Sequence, residues 1–221
     1  MSSAAQRREA IIDGIAAASK LARRDPAEVR LIAVSKTRSA REIETLIDAG
    51  QRDFGESRVQ GASAKWPGLL ERHPDVRLHA IGRLQSNKAA DALRLFDVIH
   101  SVDRKSLLEA LDKEADKAGR APQVYVQVNI GGEQQKGGCP ISEVGELVEA
   151  ARASKLPLAG LMAIPPLGLE PSPYFALLAK LARRHGVTGL SMGMSGDYKA
   201  AVMLGATAIR VGTALFEDET A

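Results

Sequence analysis

A chain of 221 residues exceeds the commonest single-domain size yet fits one α/β barrel, a fold that usually takes about 250 residues and starts near 200. A hydrophobic share of 45% with 26% charged residues is ordinary globular composition and excludes long disorder. The net charge of +3 is spread over interspersed basic and acidic residues and aromatics make up only 4%, which leaves no stacking platform or phosphate-tracking stripe and argues against a nucleic-acid partner.

The amino terminus leads into an amphipathic pattern, and no stretch approaches the ~18 uninterrupted apolar residues of a membrane span, so a soluble cytoplasmic protein without a membrane partner is expected. The helical pattern over about 6–24 forms an extension, residues 1–29, ahead of the first strand. From residue 30 onward, short apolar and β-branched runs alternate with longer helical patterns. The runs fall at 30–35, 52–54, 78–81, 98–101, 123–129, 158–162, 189–192 and 208–211, with the second the least marked. Eight continuous runs separated by helices predict strands buried on both faces in an all-parallel sheet.

Helix signals lie between them. Ser39 with Glu42 makes a capping box ahead of Ile43, Leu46 and Ile47, and Gly50 supplies the stop. Asp103 is positioned to cap a helix carrying Leu107, Leu108 and Leu111 up to Gly119, and Ser172 before Pro173 starts another that runs to Gly186. Neither a flexible linker nor a repeat divides the chain, so a single (β/α)8 TIM barrel over 30–216, one domain with an extra N-terminal helix, is the expectation for residues 1–221. The lone cysteine, Cys139, cannot form an internal disulfide and reads as an unreactive loop thiol.

In such barrels chemistry sits at the C-terminal ends of the strands, and phosphate is often held by the loops after strands seven and eight. Lys36 ends the first run, where a Schiff-base lysine would be expected, although a solvated lysine would also suit that segment alone. Ser191-Met192-Gly193-Met194-Ser195-Gly196-Asp197 follows the seventh run and Arg210-Val211-Gly212-Thr213-Ala214 spans the eighth. Glycines admit close backbone approach and the hydroxyls of Ser and Thr suit an anion. Arg210, inside or at the end of the last strand, needs a partner, and a planar ligand with an acceptor nitrogen would serve. Amine, anion cup and guanidinium match the aldehyde, phosphate and ring nitrogen of pyridoxal 5′-phosphate (PLP).

At these residues the chain resembles the pyridoxal-phosphate homeostasis proteins, the YggS/PROSC group. The matching segments are Ala33-Val34-Ser35-Lys36-Thr37, Phe54-Gly55-Glu56, Ile81-Gly82-Arg83-Leu84-Gln85-Ser86-Asn87-Lys88, Ser101-Val102-Asp103, Gly160-Leu161-Met162-Ala163-Ile164-Pro165, Leu190-Ser191-Met192-Gly193-Met194-Ser195 and Ile209-Arg210-Val211-Gly212-Thr213. The resemblance implies a fold-type III barrel like the cofactor domain of alanine racemase, standing alone. It implies PLP as a covalent aldimine on Lys36, phosphate held by Ser195, Gly212 and Thr213, Arg210 beside the pyridine nitrogen, and Asn129, Met162 and Met192 ending strands toward the cofactor. Lys136 matches another family lysine that could accept or relay cofactor, and Lys88 sits near the rim. Ser57-Arg58 departs from the family's Asn-Tyr, Glu217 stands where Gly is usual, and the stretch 166–174 is short.

The implied role is PLP homeostasis: holding the cofactor reversibly and buffering or delivering it to PLP-dependent apoenzymes, as a monomer or weak dimer and without turnover. A small PLP-dependent amino-acid racemase is the alternative, and a cofactor-free barrel enzyme using Lys36 on a sugar phosphate is a third. Against a racemase, a protonated guanidinium beside the ring weakens the electron sink. The ten residues beyond 211 also leave no room for the second domain that supplies a tyrosine in racemases. His73, His79, His100 and His185 have no metal spacing, so no metal is assigned, and His79 and His100 read as satisfied core or rim residues.

Overall fold

The computed structural model describes residues 2–216; Met1 and the Glu217 departure lie outside the described residues. Eight parallel strands close into a barrel in chain order: β1 (Arg30–Val34), β2 (Asp53–Glu56), β3 (Arg77–Ala80), β4 (Val98–Val102), β5 (Gln123–Gln127), β6 (Leu158–Met162), β7 (Gly189–Ser191) and β8 (Ala208–Val211). β8 returns to pair with β1, with Ala33 opposite Val211. All eight expected strands form. The second is shifted toward its C-terminal side: it ends on Gly55 and Glu56, the residues of the Phe-Gly-Glu motif.

Seven helices follow the first seven strands: α2 (Ala40–Asp48), α3 (Val59–Arg72), α4 (Ala89–Leu95), α5 (Lys105–Ala118), α6 (Val144–Ala153), α7 (Ser172–Arg184) and α8 (Tyr198–Met203). Among the described residues none follows β8. The N-terminal α1 (Ala4–Leu21) packs between α8 and α2, so the expected extra helix occupies the eighth place in the outer ring. Gly14 makes that seat possible, because a Cβ there would lie 2.1 Å from Tyr198 Oη on α8.

The Ser39–Glu42 capping box forms in both directions, and Gly50 closes the turn with φ +89°. Asp103 does not cap α5: its carboxylate pairs with the neighbouring Arg104 guanidinium, and Arg104 itself is the cap residue, with no side-chain bond to the helix end. α7 starts at Ser172, as expected, with Pro171 in the cap position.

The main core fills the layer between barrel and helices. Phe54, Leu78, Ile99, Val124 and Ile209 project outward from the strands onto Trp66, Leu93, Leu107 and Phe175 of the helices, with the Phe54 and Trp66 rings 5.3 Å apart. The other face of the strands departs from the apolar expectation. At alternate positions, with the period of two that a strand imposes, the interior receives Asp53, His79, His100, Tyr125, Ser191 and Arg210. The apolar runs are therefore one-faced at these points, and polar residues replace part of the interior packing.

Candidate functional site

Lys36 stands on the turn just beyond β1, its side chain exposed on the rim at the C-terminal ends of the strands. The backbone beneath it is held firmly. Buried Ser35 donates its N–H to the Gly55 carbonyl at 3.0 Å and its hydroxyl to Glu56 Oε1 at 2.8 Å. Glu56, only 2% exposed, also accepts from Trp66 Nε1 at 2.9 Å and pairs with Lys65 at 2.8 Å. Lys65 Nζ in turn donates to the Ser35 and Arg38 carbonyls at 2.8 and 3.1 Å. Two residues of α3 thus clamp the segment on either side of Lys36. The amine is left in a cavity of about 560 Å³ lined by Thr37, Glu56, Ser57, Arg58, Gln60 and Gly61.

The departure Ser57-Arg58 lines this cavity with an exposed guanidinium. The loop carrying it lies so close to Gly82 that a Cβ there would sit 2.2 Å from the Ser57 carbonyl, which accounts for glycine in the Ile-Gly-Arg segment.

Next to the end of β1 lies a cluster of donors from the last two loops. Ser195 Oγ is 3.4 Å from the Gly212 N–H and 3.2 Å from the Thr213 hydroxyl. Gly193, at φ +95° and with Ala201 Cβ only 2.6 Å from where a Cβ would stand, turns the first loop inward. The Asp197 carboxylate of the same loop accepts from Met194 N at 2.5 Å. One amide and two hydroxyls, at least partly exposed and without a carboxylate among them, suit a phosphate ester. Gly212 would place a Cβ 3.5 Å from the Val34 carbonyl, so this cup adjoins the strand that carries Lys36.

Arg210 lies on β8 inside the barrel, 4% exposed. It donates to Ser191 Oγ at 2.6 Å and to the Ala163 carbonyl at 3.0 Å. Burial pulls its guanidinium down to about 10, which leaves it cationic at neutral pH, with Asp197 and Tyr125 opposing the shift.

The remaining expected site residues are occupied by the fold. Asn129, half-buried after β5, uses both amide atoms to pin the turn to Glu133, accepting at 3.1 Å and donating at 2.8 Å. Met162 and Met192 are fully buried at the ends of β6 and β7. Lys136 bridges two rim loops, bonding the Pro165 carbonyl at 3.0 Å and Glu133 at 2.7 Å, whereas Lys88 pairs with Asp91 at 3.8 Å. Cys139 is buried and its thiol is pushed up to about 12 by burial, consistent with an unreactive loop thiol.

Sequence reasoning missed the links behind Arg210. His100 Nδ1 is 2.8 Å from Ser191 Oγ, His100 Nε2 is 3.0 Å from His79 Nδ1, and His79 Nε2 is 2.8 Å from Asp53 Oδ1. Tyr125 stacks on His100 with centroids 4.5 Å apart. Burial lowers both imidazoles below their ordinary value, and His100 lies well below it. Below about 6.5 the unfolded chain takes up protons that these folded imidazoles refuse. Their contribution to stability is therefore full above that pH and is lost as pH falls toward the depressed folded values. We expect a slope of about 1.4 kcal/mol per pH unit for one imidazole and about 2.7 kcal/mol for both. Urea midpoints between pH 7.5 and 5 check it, and a flat profile would contradict the neutral pair.

The family described as alanine racemase, N-terminal domain, matches residues 8–220. The chain is 41% identical over 203 residues to the pyridoxal phosphate homeostasis protein of Synechocystis sp., covering 87% of this chain and 93% of the relative. It is 40% identical over 223 residues to that of Pseudomonas aeruginosa, covering 98% and 96%. Among solved structures, PipY of Synechococcus elongatus PCC7942 with PLP bound superposes with a TM-score of 0.81 at 41% identity, over 93% of this chain and 99% of that one.

Proposed function

The chain belongs to the family of pyridoxal phosphate homeostasis proteins, and on that premise we propose that it binds PLP at the C-terminal mouth of its barrel and buffers or delivers it to apoenzymes. The observation that carries this reading is the junction of Lys36 with the Ser195, Gly212 and Thr213 cup at the closing seam between β1 and β8. Bound PLP supplies an aldehyde that condenses with an amine, with loss of water. Lys36 offers that amine on an exposed turn, which suits reversible loading and release. Ser195, Thr213 and the Gly212 N–H would hold the phosphate, and Arg210 would serve the ring nitrogen as a permanent donor. Asn129 and Met192 serve by shaping the rim, one by fixing the 129–133 turn and the other by filling the space under β7.

Steady turnover is not expected. Among the described residues no tyrosine lines the Lys36 cavity: Tyr125 stacks inside the barrel, Tyr198 is buried against Gly14, and Tyr174 lies on α7. A racemase needs positioned acids and bases on both faces of its substrate. Borohydride reduction of the loaded protein, followed by peptide mass spectrometry, is expected to find a pyridoxyl group on Lys36. Label on Lys136 or Lys88 alone would overturn the assignment, and racemisation of a purified amino acid at a steady rate would overturn the carrier role. Thr213→Ala removes one hydrogen bond to a charged group and should weaken PLP retention by about 1.5 kcal/mol, roughly tenfold in Kd. An unchanged Kd by fluorescence titration would remove Thr213 from the phosphate cup.

A further inference from the structure

We propose that Asp53, His79, His100 and Ser191 are positioning residues for Arg210, forming one directed hydrogen-bond column through the barrel that connects the N-terminal mouth to the PLP side. The direction follows from the two ends. A guanidinium can only donate and an ionised carboxylate can only accept. Arg210 therefore donates to Ser191 Oγ, Ser191 donates its single proton to His100 Nδ1, His100 Nε2–H donates to His79 Nδ1, and His79 Nε2–H donates to Asp53. The opposite order would set a bare His79 lone pair against the carboxylate, or require a second buried cation beside Arg210.

Both imidazoles are thus neutral Nε2–H tautomers, and every link is satisfied in one arrangement only. Among the described residues Arg210 has no carboxylate in contact, and the column ends its line of donors on one. Asp53 is 18% exposed and opens onto a cavity of about 540 Å³ at the N-terminal mouth, which Arg30, Tyr125 and Thr207 also line. Arg30, 3.5 Å from Asp53, and Arg77 are the other charges bearing on this end, while Asp197 bears on Arg210. Neutralising Asp53 removes the acceptor charge at one mouth, and the change is felt at the guanidinium near the other. The link to the pyridine nitrogen rests on the proposed PLP site, but the column itself does not.

Two readouts separate these. In the unloaded protein, 15N NMR of the histidines is expected to show Nε2–H tautomers at both positions with no titration from pH 8 to 6. The slowly exchanging Arg210 side-chain protons should exchange at least tenfold faster in Asp53→Asn and Ser191→Ala. In the PLP-loaded protein, Asp53→Asn is expected to move the pH midpoint of the visible absorbance down by about half a unit, the scale of removing one charge across the interior. An Nδ1–H tautomer at either histidine, ordinary titration near 6.5, or Arg210 exchange equal to wild type in folded variants would overturn the column. Should a variant fail to fold, the wild-type tautomers decide. If wild type gains no visible band while the tautomers stand, the PLP reading fails and the column survives.

Discussion

Lys36→Ala is expected to abolish covalent retention of PLP, with complete loss of the visible band and of the borohydride-fixed label, while the fold stays within about 0.5 kcal/mol of wild type. The two halves of this expectation have separate causes. The Lys36 side chain is exposed, and the hydrogen bonds that fix its turn are made by the Ser35 and Arg38 carbonyls and the Ser35 hydroxyl. Truncation therefore removes the reactive amine and little packing. The proposed phosphate cup and Arg210 remain, so the variant should still bind PLP weakly and release it on gel filtration. A label that persists stoichiometrically on another lysine would show that the turn after β1 is not where the aldehyde is held.

Glu56→Ala is expected to cost about 3–5 kcal/mol, the range for removing one member of a buried charged pair. The carboxylate gathers three donors, from Ser35, Trp66 and Lys65, each at 2.8 or 2.9 Å. Its loss leaves the Trp66 indole N–H and the Ser35 hydroxyl buried without an acceptor and Lys65 with carbonyls alone. Glu56→Gln, which keeps the shape and an acceptor oxygen, should cost markedly less. Urea denaturation gives both values, and PLP retention should fall in Glu56→Ala because the segment bearing Lys36 loses its brace. A cost under about 1 kcal/mol would mean that Glu56 is not the keystone of that clamp.

The strands were legible because their outward faces carry the apolar runs that pack on the helices, from Leu31 and Ala33 on β1 to Ile209 and Val211 on β8. The proximity of Ser195, Gly212 and Thr213, the basis of the proposed anion cup, was legible because small and hydroxyl residues cluster in the two expected loops. What stayed hidden depends on partners distant along the chain. Ser191 lies 91 residues from His100, and no local pattern links them. Glu56 and Trp66 are ordinary residues until α3 folds back over β2. The place of α1 in the ring was equally unreadable, since only tertiary packing shows that Gly14 is reserved for the Tyr198 ring. Asp103 misled because a neighbouring guanidinium competes for the carboxylate that would cap a helix.

The seam between β1 and β8, with α1 wedged beside α8, joins the first strand of the barrel to the last. On the ribosome, β1 must wait with one edge open until β8 has been made. An unpaired parallel edge invites mispairing between nascent chains, so co-translational protection has its longest duty at this strand. Lys36 sits at the end of that same strand, and the cup beside it forms only at closure. With PLP held as proposed, vitamin capture is thereby deferred until the barrel has closed.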